Sequence, residues 1–174
     1  MSCLVEGTQI TLADGSKKAI EDINYDDELL VWNFYKGEFD TARPQWIMRP
    51  FVTNVYYETT LSDGTIIKTV GASGHRLFNF DKNSFVYDTE CVGAKVYKEN
   101  GVVAEVVSCE KKRNEARYYN IITTKHFNLF ANGILTSCRL SNKYKIEDMR
   151  YVGDPLYNEA EERAYFNKLQ QKKL

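Results

Sequence analysis

The residues best suited to chemistry in this 174-residue chain are its four cysteines and two histidines. Cys3 stands close to the amino terminus, and Cys138 ends the segment Phe-Ala-Asn-Gly-Ile-Leu-Thr-Ser-Cys that begins at residue 130. A cysteine thiolate is a nucleophile, and a histidine donates and accepts protons near neutral pH. The cysteines lie far apart without a Cys-x-x-Cys pair, and the histidines lack the spacing of zinc ligands. We therefore expect reduced thiols, no metal and no cofactor.

The composition predicts one compact folded domain, because 43% of the residues are hydrophobic and 13% are aromatic. A formal net charge of −1 offers no electrostatic basis for binding nucleic acid or an anionic membrane surface. No apolar run approaches the roughly 20 residues of a membrane-spanning helix, and residues 1–7 lack the basic and apolar regions of a signal peptide. We expect a soluble, cytoplasmic monomer.

The elements that must position these side chains are predicted to be β-strands from residue 3 to about residue 140. Short β-branched and aromatic runs recur there between turn signals such as Asp14-Gly15 and Ser62-Asp63-Gly64. The predicted strands include residues 8–12, 28–32, 55–61, 65–69, 102–107 and 118–122. Many short strands at this spacing indicate an all-β barrel or a folded-over sheet.

The last part of the chain has a different character. Asp154 precedes Pro155, which is the order of a helix N-cap and first helical residue. Acidic residues follow early and lysines late, the order that the helix dipole favours. We divide the chain into a domain of residues 3–140 and an extension of residues 141–174, with a helix from about 155 to 171.

Three segments of the chain carry a combination of motifs found in one protein family. Residues 3–10, 14–15, 20–23 and 26–30 form an amino-terminal block, and residues 119–121 and 127–135 form a carboxy-terminal block. Between the blocks stands Gly71-Ala72-Ser73-Gly74-His75. Together these segments resemble Hint domains, the module shared by inteins, bacterial intein-like domains and hedgehog autoprocessing domains. The resemblance covers residues 3–138 and implies a horseshoe-like, pseudo-twofold all-β fold, to which this chain adds a helical tail.

The resemblance implies a single-turnover reaction whose substrate is the chain's own upstream polypeptide. Cys3 would attack the carbonyl carbon of Ser2 and convert the Ser2–Cys3 amide into a thioester, an N-to-S acyl shift. The amide nitrogen is a poor leaving group and needs a proton, a task that the resemblance assigns to His75. The scissile junction would be Ser2–Cys3, and the flanking polypeptide would act as a substrate in cis.

Two positions depart from the family pattern. The threonine of the family's Thr-x-x-His motif falls on Ala72, so its hydroxyl is missing. Loss of one such hydrogen bond would cost about 1–3 kcal/mol, or roughly tenfold to a hundredfold in rate. Asn120 stands where many inteins have an acid that assists the acyl transfers, and an amide cannot act as a general base. Both departures predict slower or narrower chemistry.

The carboxy-terminal residues distinguish the subfamilies. A splicing intein ends in His-Asn, whose asparagine cyclises, whereas the corresponding residues here are Ser137 and Cys138. This ending is similar to that of hedgehog-type domains, which cleave only at the amino side and pass the thioester to an outside nucleophile. The acid that activates sterol in those domains has no counterpart in residues 46–51. We expect amino-terminal cleavage without splicing, with water, a small thiol or an amine as the acceptor.

Several alternatives remain open at this point. Cys138 is expected near Cys3, either as a second thiol that traps the thioester or forms a disulfide, or as a small buried residue. His126, one residue away from the position of the family's histidine, is expected to have a supporting role. The whole domain is either an active autoprocessing module or a degenerate Hint fold that serves as a structural or binding module.

Overall fold

The computed structural model of the protein describes residues 3–48 and 50–138, which are mainly β-structure. Two short 3-10 helices, Ile20–Asp22 and Asp88–Glu90, lie between strands. The described residues contain 17 strands. In chain order they are β1 Cys3–Val5, β2 Gln9–Thr11, β3 Lys17–Ala19, β4 Leu29–Asn33, β5 Glu38–Ala42, β6 Pro44–Ile47, β7 Phe51–Thr53, β8 Tyr56–Leu61, β9 Ile66–Val70, β10 Arg76–Asn79, β11 Ser84–Tyr87, β12 Lys95–Tyr97, β13 Val103–Lys112, β14 Ala116–Tyr119, β15 Ile121–Thr123, β16 Asn128–Ala131 and β17 Ile134–Ser137.

Most of these strands join one large sheet. Its order is β3-β2-β16-β17-β10-β12-β13-β8-β9-β1-β14-β7, with β11 also paired to β10. Two smaller sheets pair β15 with β6 and β4 with β5. The predicted hairpin is present as β8 and β9, and Gly64 in its turn has a φ of 87°, a conformation that glycine adopts without steric cost. The prediction of an all-β fold is confirmed.

Strand β1 is an inner strand of this path, between β9 and β14 and antiparallel to both. All three of its residues are buried. A strand with neighbours at both edges and packed side chains on both faces is expected to be apolar throughout rather than alternating. The sequence Cys-Leu-Val fits that environment, and it places the amino-terminal end of the domain inside the sheet.

The neighbouring strand β9 shows the alternation of a strand with one buried face. In β9 the burial alternates along the strand, so that Ile67 and Thr69 point inward while Ile66 and Lys68 are exposed. The inward residues contribute to a main core that includes Trp46 and many aliphatic side chains. A second, aromatic cluster packs Phe78, Phe130 and Leu135 together.

The predicted strand over residues 118–122 is wrong in one respect, because it is divided at Asn120. Strand β14 pairs with β1 and β7, whereas β15 pairs with β6 in a separate sheet. The Asn120 side-chain oxygen accepts a hydrogen bond from the next backbone N–H, that of Ile121. The bond is local, and the chain passes at this residue from the large sheet to the sheet of β15 and β6.

Some predictions fall on residues outside the described part of the chain. These residues are Met1, Ser2, Arg49 and 139–174. The helix expected over about 155–171 and the boundary at residue 140 therefore remain predictions. Within residues 3–48 and 50–138, no helix combines the length and apolar character that a membrane crossing requires.

Candidate active site

Cys3, the predicted nucleophile, begins strand β1 inside the main sheet. Its side chain is fully buried, with 0% exposure, and it is a thiol. Its Cα is paired with Val70 at the end of β9. On the other side Leu4 pairs with Tyr119, the last residue of β14, and Asn120 is the next residue of the chain. The sheet therefore holds the predicted nucleophile beside Val70, one residue before the Leu4–Tyr119 pair.

His75, the predicted proton donor, follows the loop of residues 71–74 that leaves the end of β9. It is buried, and its Nε2 lies 2.5 Å from the carbonyl oxygen of Ser137 at the end of β17. Because a carbonyl oxygen only accepts hydrogen bonds, Nε2 carries a proton and donates it to Ser137. This contact fixes the orientation of the ring and joins two segments that are 62 residues apart.

The hairpin of β16 and β17 brings Ser137 to that position. Its turn residues Asn132 and Gly133 have φ values of 48° and 79°, the left-handed conformations that a two-residue type I′ hairpin requires and that Asn-Gly favours. Strand β17 then pairs with β10 through Leu77 and Thr136. Since β10 begins directly after His75, this pairing sets the histidine beside the end of β17.

Cys138 follows β17 and is buried next to the same contact. Its backbone N–H donates to the carbonyl of Phe127 at 3.1 Å. Its Sγ lies 3.3 Å from the hydroxyl oxygen of Thr123 in β15. Cys138 and Cys3 both belong to the main core, and direct contact between their sulfurs stays a prediction.

Asn120 has one polar group whose environment is unusual. The residue is buried, with 2% exposure. Its side-chain oxygen accepts the N–H of Ile121 at 2.9 Å, which identifies the other side-chain atom as the nitrogen. That Nδ2 is buried and has no hydrogen-bond acceptor within residues 3–48 and 50–138. A buried amide donor without an acceptor is costly, so the group calls for a functional explanation.

Asp88 belongs to the same region, although nothing in its sequence context distinguishes it from a surface aspartate. Its side chain is completely buried. It accepts hydrogen bonds from the hydroxyls of Thr59 and Thr69 and from the backbone N–H groups of His75 and Thr89. Burial raises the pKa of this carboxyl above its ordinary value, and the hydrogen bonds oppose the rise. Only its contacts with residues distant in the sequence identify Asp88 as part of the site.

A cleft of about 730 Å³ opens beside Ser137. Basic and aromatic side chains line it, among them Arg76, Phe85, Lys125 and Phe127. His126 also faces the cleft, but its Nε2 lies 3.0 Å from the Asp40 carboxylate, which also binds Lys125 at 3.1 Å. The structure thus places His126 beside Asp40, and its supporting role stays a prediction. The cleft leads from solvent to the strand end that His75 contacts.

The structure places the predicted site residues in two groups. His75 contacts Ser137, and Cys138 is the next residue. Cys3 precedes Leu4, whose register partner Tyr119 precedes Asn120. Ser2 lies outside the described residues. In the part of the chain that is described, no three His, Cys, Asp or Glu side chains are grouped as metal ligands.

Comparison with known proteins gives a result only at the level of structure. No protein-family model and no curated protein matches the sequence. A bacterial intein-like domain from Clostridium thermocellum superposes with a TM-score of 0.67 at 24% identity, over 79% of this chain and 99% of that chain. A DnaB intein from Synechocystis gives 0.65 at 18% identity, over 80% and 100% of the two chains. The gp41-1 intein gives 0.63 at 20% identity, over 79% and 98%.

The match spans these three solved structures almost completely, and the likeness is one of fold. The chain has the Hint fold of inteins and bacterial intein-like domains.

Proposed function

We propose that this domain is self-processing and cleaves the peptide bond between Ser2 and Cys3 without splicing. In the first step the Cys3 sulfur bonds to the carbonyl carbon of Ser2 and the C–N bond breaks. The sulfur loses its proton and the released nitrogen gains one, so no net charge develops. The product is a thioester that joins the upstream polypeptide to Cys3 and leaves Cys3 with a new amino group.

His75 is the residue that we assign to the proton transfer. Its Nε2 donates to the Ser137 carbonyl, so the proton for the departing nitrogen comes from the other ring nitrogen, Nδ1. Histidine suits this task because it exchanges protons near neutral pH. Burial of the ring removes competing water, which strengthens the interactions that it makes with the reacting groups.

Asn120 is assigned the carbonyl oxygen of Ser2. Attack by sulfur turns that oxygen into an anion, which needs a fixed hydrogen-bond donor in a water-poor site. The Nδ2 group of Asn120 is such a donor, because it is buried and lacks an acceptor among the described residues. Asn120 directly follows Tyr119, the register partner of Leu4, and this closeness to the strand of Cys3 supports the role. An amide serves here as a donor, although it cannot replace the acid of other inteins as a base.

The second step releases the upstream polypeptide. Water, a small thiol or an amine attacks the thioester carbonyl carbon, the C–S bond breaks, and Cys3 regains its proton. The cleft beside Ser137 offers such a nucleophile a route from solvent. Cys138 takes the place of the asparagine whose cyclisation completes splicing, so the downstream segment stays attached.

One observation carries this proposal: His75, buried in a Hint fold, hydrogen bonds to Ser137 at the far end of the domain. The contact joins the loop after β9, which pairs with the Cys3 strand, to the final strand. The contact therefore brings the proposed proton donor to the carboxy-terminal strand of the domain. The arrangement fits a residue that acts at the junction.

The proposal is tested by fusing a reporter protein upstream of Ser2 and following its release with and without dithiothreitol or hydroxylamine. We expect release that accelerates with either nucleophile, and mass spectrometry should place the new carboxyl end at Ser2. Cys3→Ala should abolish release, and His75→Ala should slow it about 100-fold or more. Cys91→Ala is the matched control, because Cys91 is another fully buried thiol and has no assigned role.

The competing function is a degenerate Hint fold kept as a structural or binding module. It is favoured by Ala72, which is exposed and offers no hydroxyl in the loop before His75. Under that alternative the folded parent protein would release no reporter under any of these conditions. Equal release from the parent and from Cys3→Ala would likewise overturn the autoprocessing proposal.

A further inference from the structure

We propose that Asp88 is a positioning residue, whose buried carboxylate holds the loop of residues 71–75 so that His75 faces the Ser2–Cys3 junction. The inference rests on the proposed function for its consequence in catalysis. The hydrogen bonds by which Asp88 fixes the loop are contacts of the fold and do not depend on that function. Asp88 acts through His75 and is not assigned any contact with the reacting atoms.

The carboxylate makes four hydrogen bonds, which occupy both of its oxygens. Oδ1 accepts the backbone N–H of His75 at 3.2 Å and that of Thr89 at 2.9 Å. Oδ2 accepts the hydroxyls of Thr69 at 2.6 Å and Thr59 at 3.2 Å. The backbone N–H of Asp88 also donates to the carbonyl oxygen of His75 at 2.8 Å. His75 is therefore held through both its N–H and its carbonyl by one residue.

The loop passes so close to this carboxylate that no side chain fits between them. A Cβ on Gly74 would lie 1.9 Å from Oδ1 of Asp88. Gly74 also has a φ of 79°, which glycine tolerates best. A second bond from the Thr89 hydroxyl to the carbonyl oxygen of Ser73, at 2.8 Å, secures the same loop. The loop therefore packs directly against Asp88 and Thr89.

The hydrogen bonds connect the histidine loop to the strand that carries the nucleophile. Thr69 lies on β9 and is the register partner of Leu4 on β1. A continuous path therefore leads from the nucleophile strand through Thr69 and Asp88 to His75. Groups held on rigid strands react faster than groups on a free loop, because misplacement by about 1 Å can cost roughly a hundredfold in rate.

This anchor explains how the loop keeps its shape without the family's threonine. Ala72 is exposed, and its carbonyl oxygen receives only a long 3.5 Å bond from the Tyr57 hydroxyl. No hydroxyl at position 72 is available to order the loop. The Asp88 carboxylate orders it from the opposite, buried side.

The test compares Asp88→Asn and Asp88→Ala with Asp63→Asn in the reporter fusion. Asparagine at position 88 keeps one acceptor for the backbone N–H groups, and the threonine hydroxyls can rotate to accept from its amide. Alanine removes every acceptor. Asp63 is the matched control, because it lies in the turn at the other end of the β8–β9 hairpin and accepts hydrogen bonds from Lys98 and Thr65.

The expected result is graded. Asp88→Ala should lower the limiting rate of hydroxylamine-induced release about 100-fold, and Asp88→Asn about tenfold or less. The hydroxylamine concentration that gives half the limiting rate should fall in the same proportion, because the acyl shift and its reversal slow together while the capture step is unaffected. Asp63→Asn should release at the parent rate. A limiting rate for Asp88→Ala equal to that of Asp63→Asn would overturn the proposal.

A second measurement tests whether Asp88 positions His75, and it does not require an active protein. The chain has only two histidines, so isotope labelling of histidine gives one set of NMR signals from His75 and one from His126. Both Asp88 variants should move the His75 backbone and ring signals and leave those of His126 in place. If the Asp88→Ala protein does not fold, Asp88→Asn and Thr69→Val provide the comparison. If the His75 signals do not change, Asp88 does not position His75 and the inference is refuted. If the parent protein releases no reporter, only the proposed function is refuted.

Discussion

Substitution of Gly74 by alanine tests the closest contact in the candidate site. The new Cβ would meet Oδ1 of Asp88 at 1.9 Å, and the residue has a φ of 79°. The left-handed backbone alone costs a non-glycine residue about 1–2 kcal/mol. Displacing a buried, fully hydrogen-bonded carboxylate adds a further 1–3 kcal/mol, typical of overpacking or of a lost charged hydrogen bond. We therefore expect Gly74→Ala to lower the free energy of unfolding by about 2–5 kcal/mol in total.

The matched control is Gly64→Ala, which has the same backbone problem without the contact. Gly64 has a φ of 87°, and a Cβ there would meet no atom within 4 Å. Urea unfolding followed by the fluorescence of the two tryptophans gives both free energies. The difference between the variants isolates the contact with Asp88, because the backbone cost is common to both. Equal destabilisation of the two variants would show that the carboxylate does not press against the loop, and the reasoning would be refuted.

Two further predictions concern Asn120 and Asp40. Asn120→Asp keeps the acceptor for the Ile121 N–H but removes the buried donor, so reporter release should slow about tenfold or more. Faster release would mean that an acid is needed at position 120 and that the donor role is wrong. For Asp40, partial burial disfavours ionisation, but hydrogen bonds from His126, the Thr41 N–H and Lys125 outweigh it and lower the pKa to about 2. A lowered carboxyl pKa adds stability above the ordinary value of 3.8, and that stability is lost as the pH falls through about 2. Asp40→Asn should therefore cost about 1 kcal/mol or less at pH 6, measured by urea unfolding, and clearly less at pH 2, where the carboxyl of the folded protein is partly protonated. An undiminished cost at pH 2 would contradict this account.

The sequence allowed a good prediction of the local elements. Turn residues such as Asn132-Gly133 and Gly64 mark hairpins, because few residues adopt positive φ values without strain. The order of strands in the large sheet could not be predicted in the same way. Pairings such as β16 with β2 join residues more than one hundred positions apart, and a strand's own side chains do not specify its partner.

The residues of the candidate site also differ in how far the sequence reveals them. Cys3 and His75 were predicted as site residues because their surrounding motifs resemble those of a known family. Asp88 was not found, since an aspartate followed by threonine and glutamate reads as an ordinary polar turn. Asn120 was found by its position, but its buried and unsatisfied nitrogen is visible only once the strands are assembled.

By itself, the sequence determined the chemical types at the junction and the all-β character of the domain. Both are local properties: a thiol is a nucleophile wherever it lies, and alternation and turn residues act over a few positions. Tertiary structure alone decided that His75 meets Ser137, 62 residues away, and that Asp88 is tied to Thr69 and Thr59, at separations of 19 and 29 residues. These contacts have their strength because the fold excludes water from them, and burial is a property of the assembled chain.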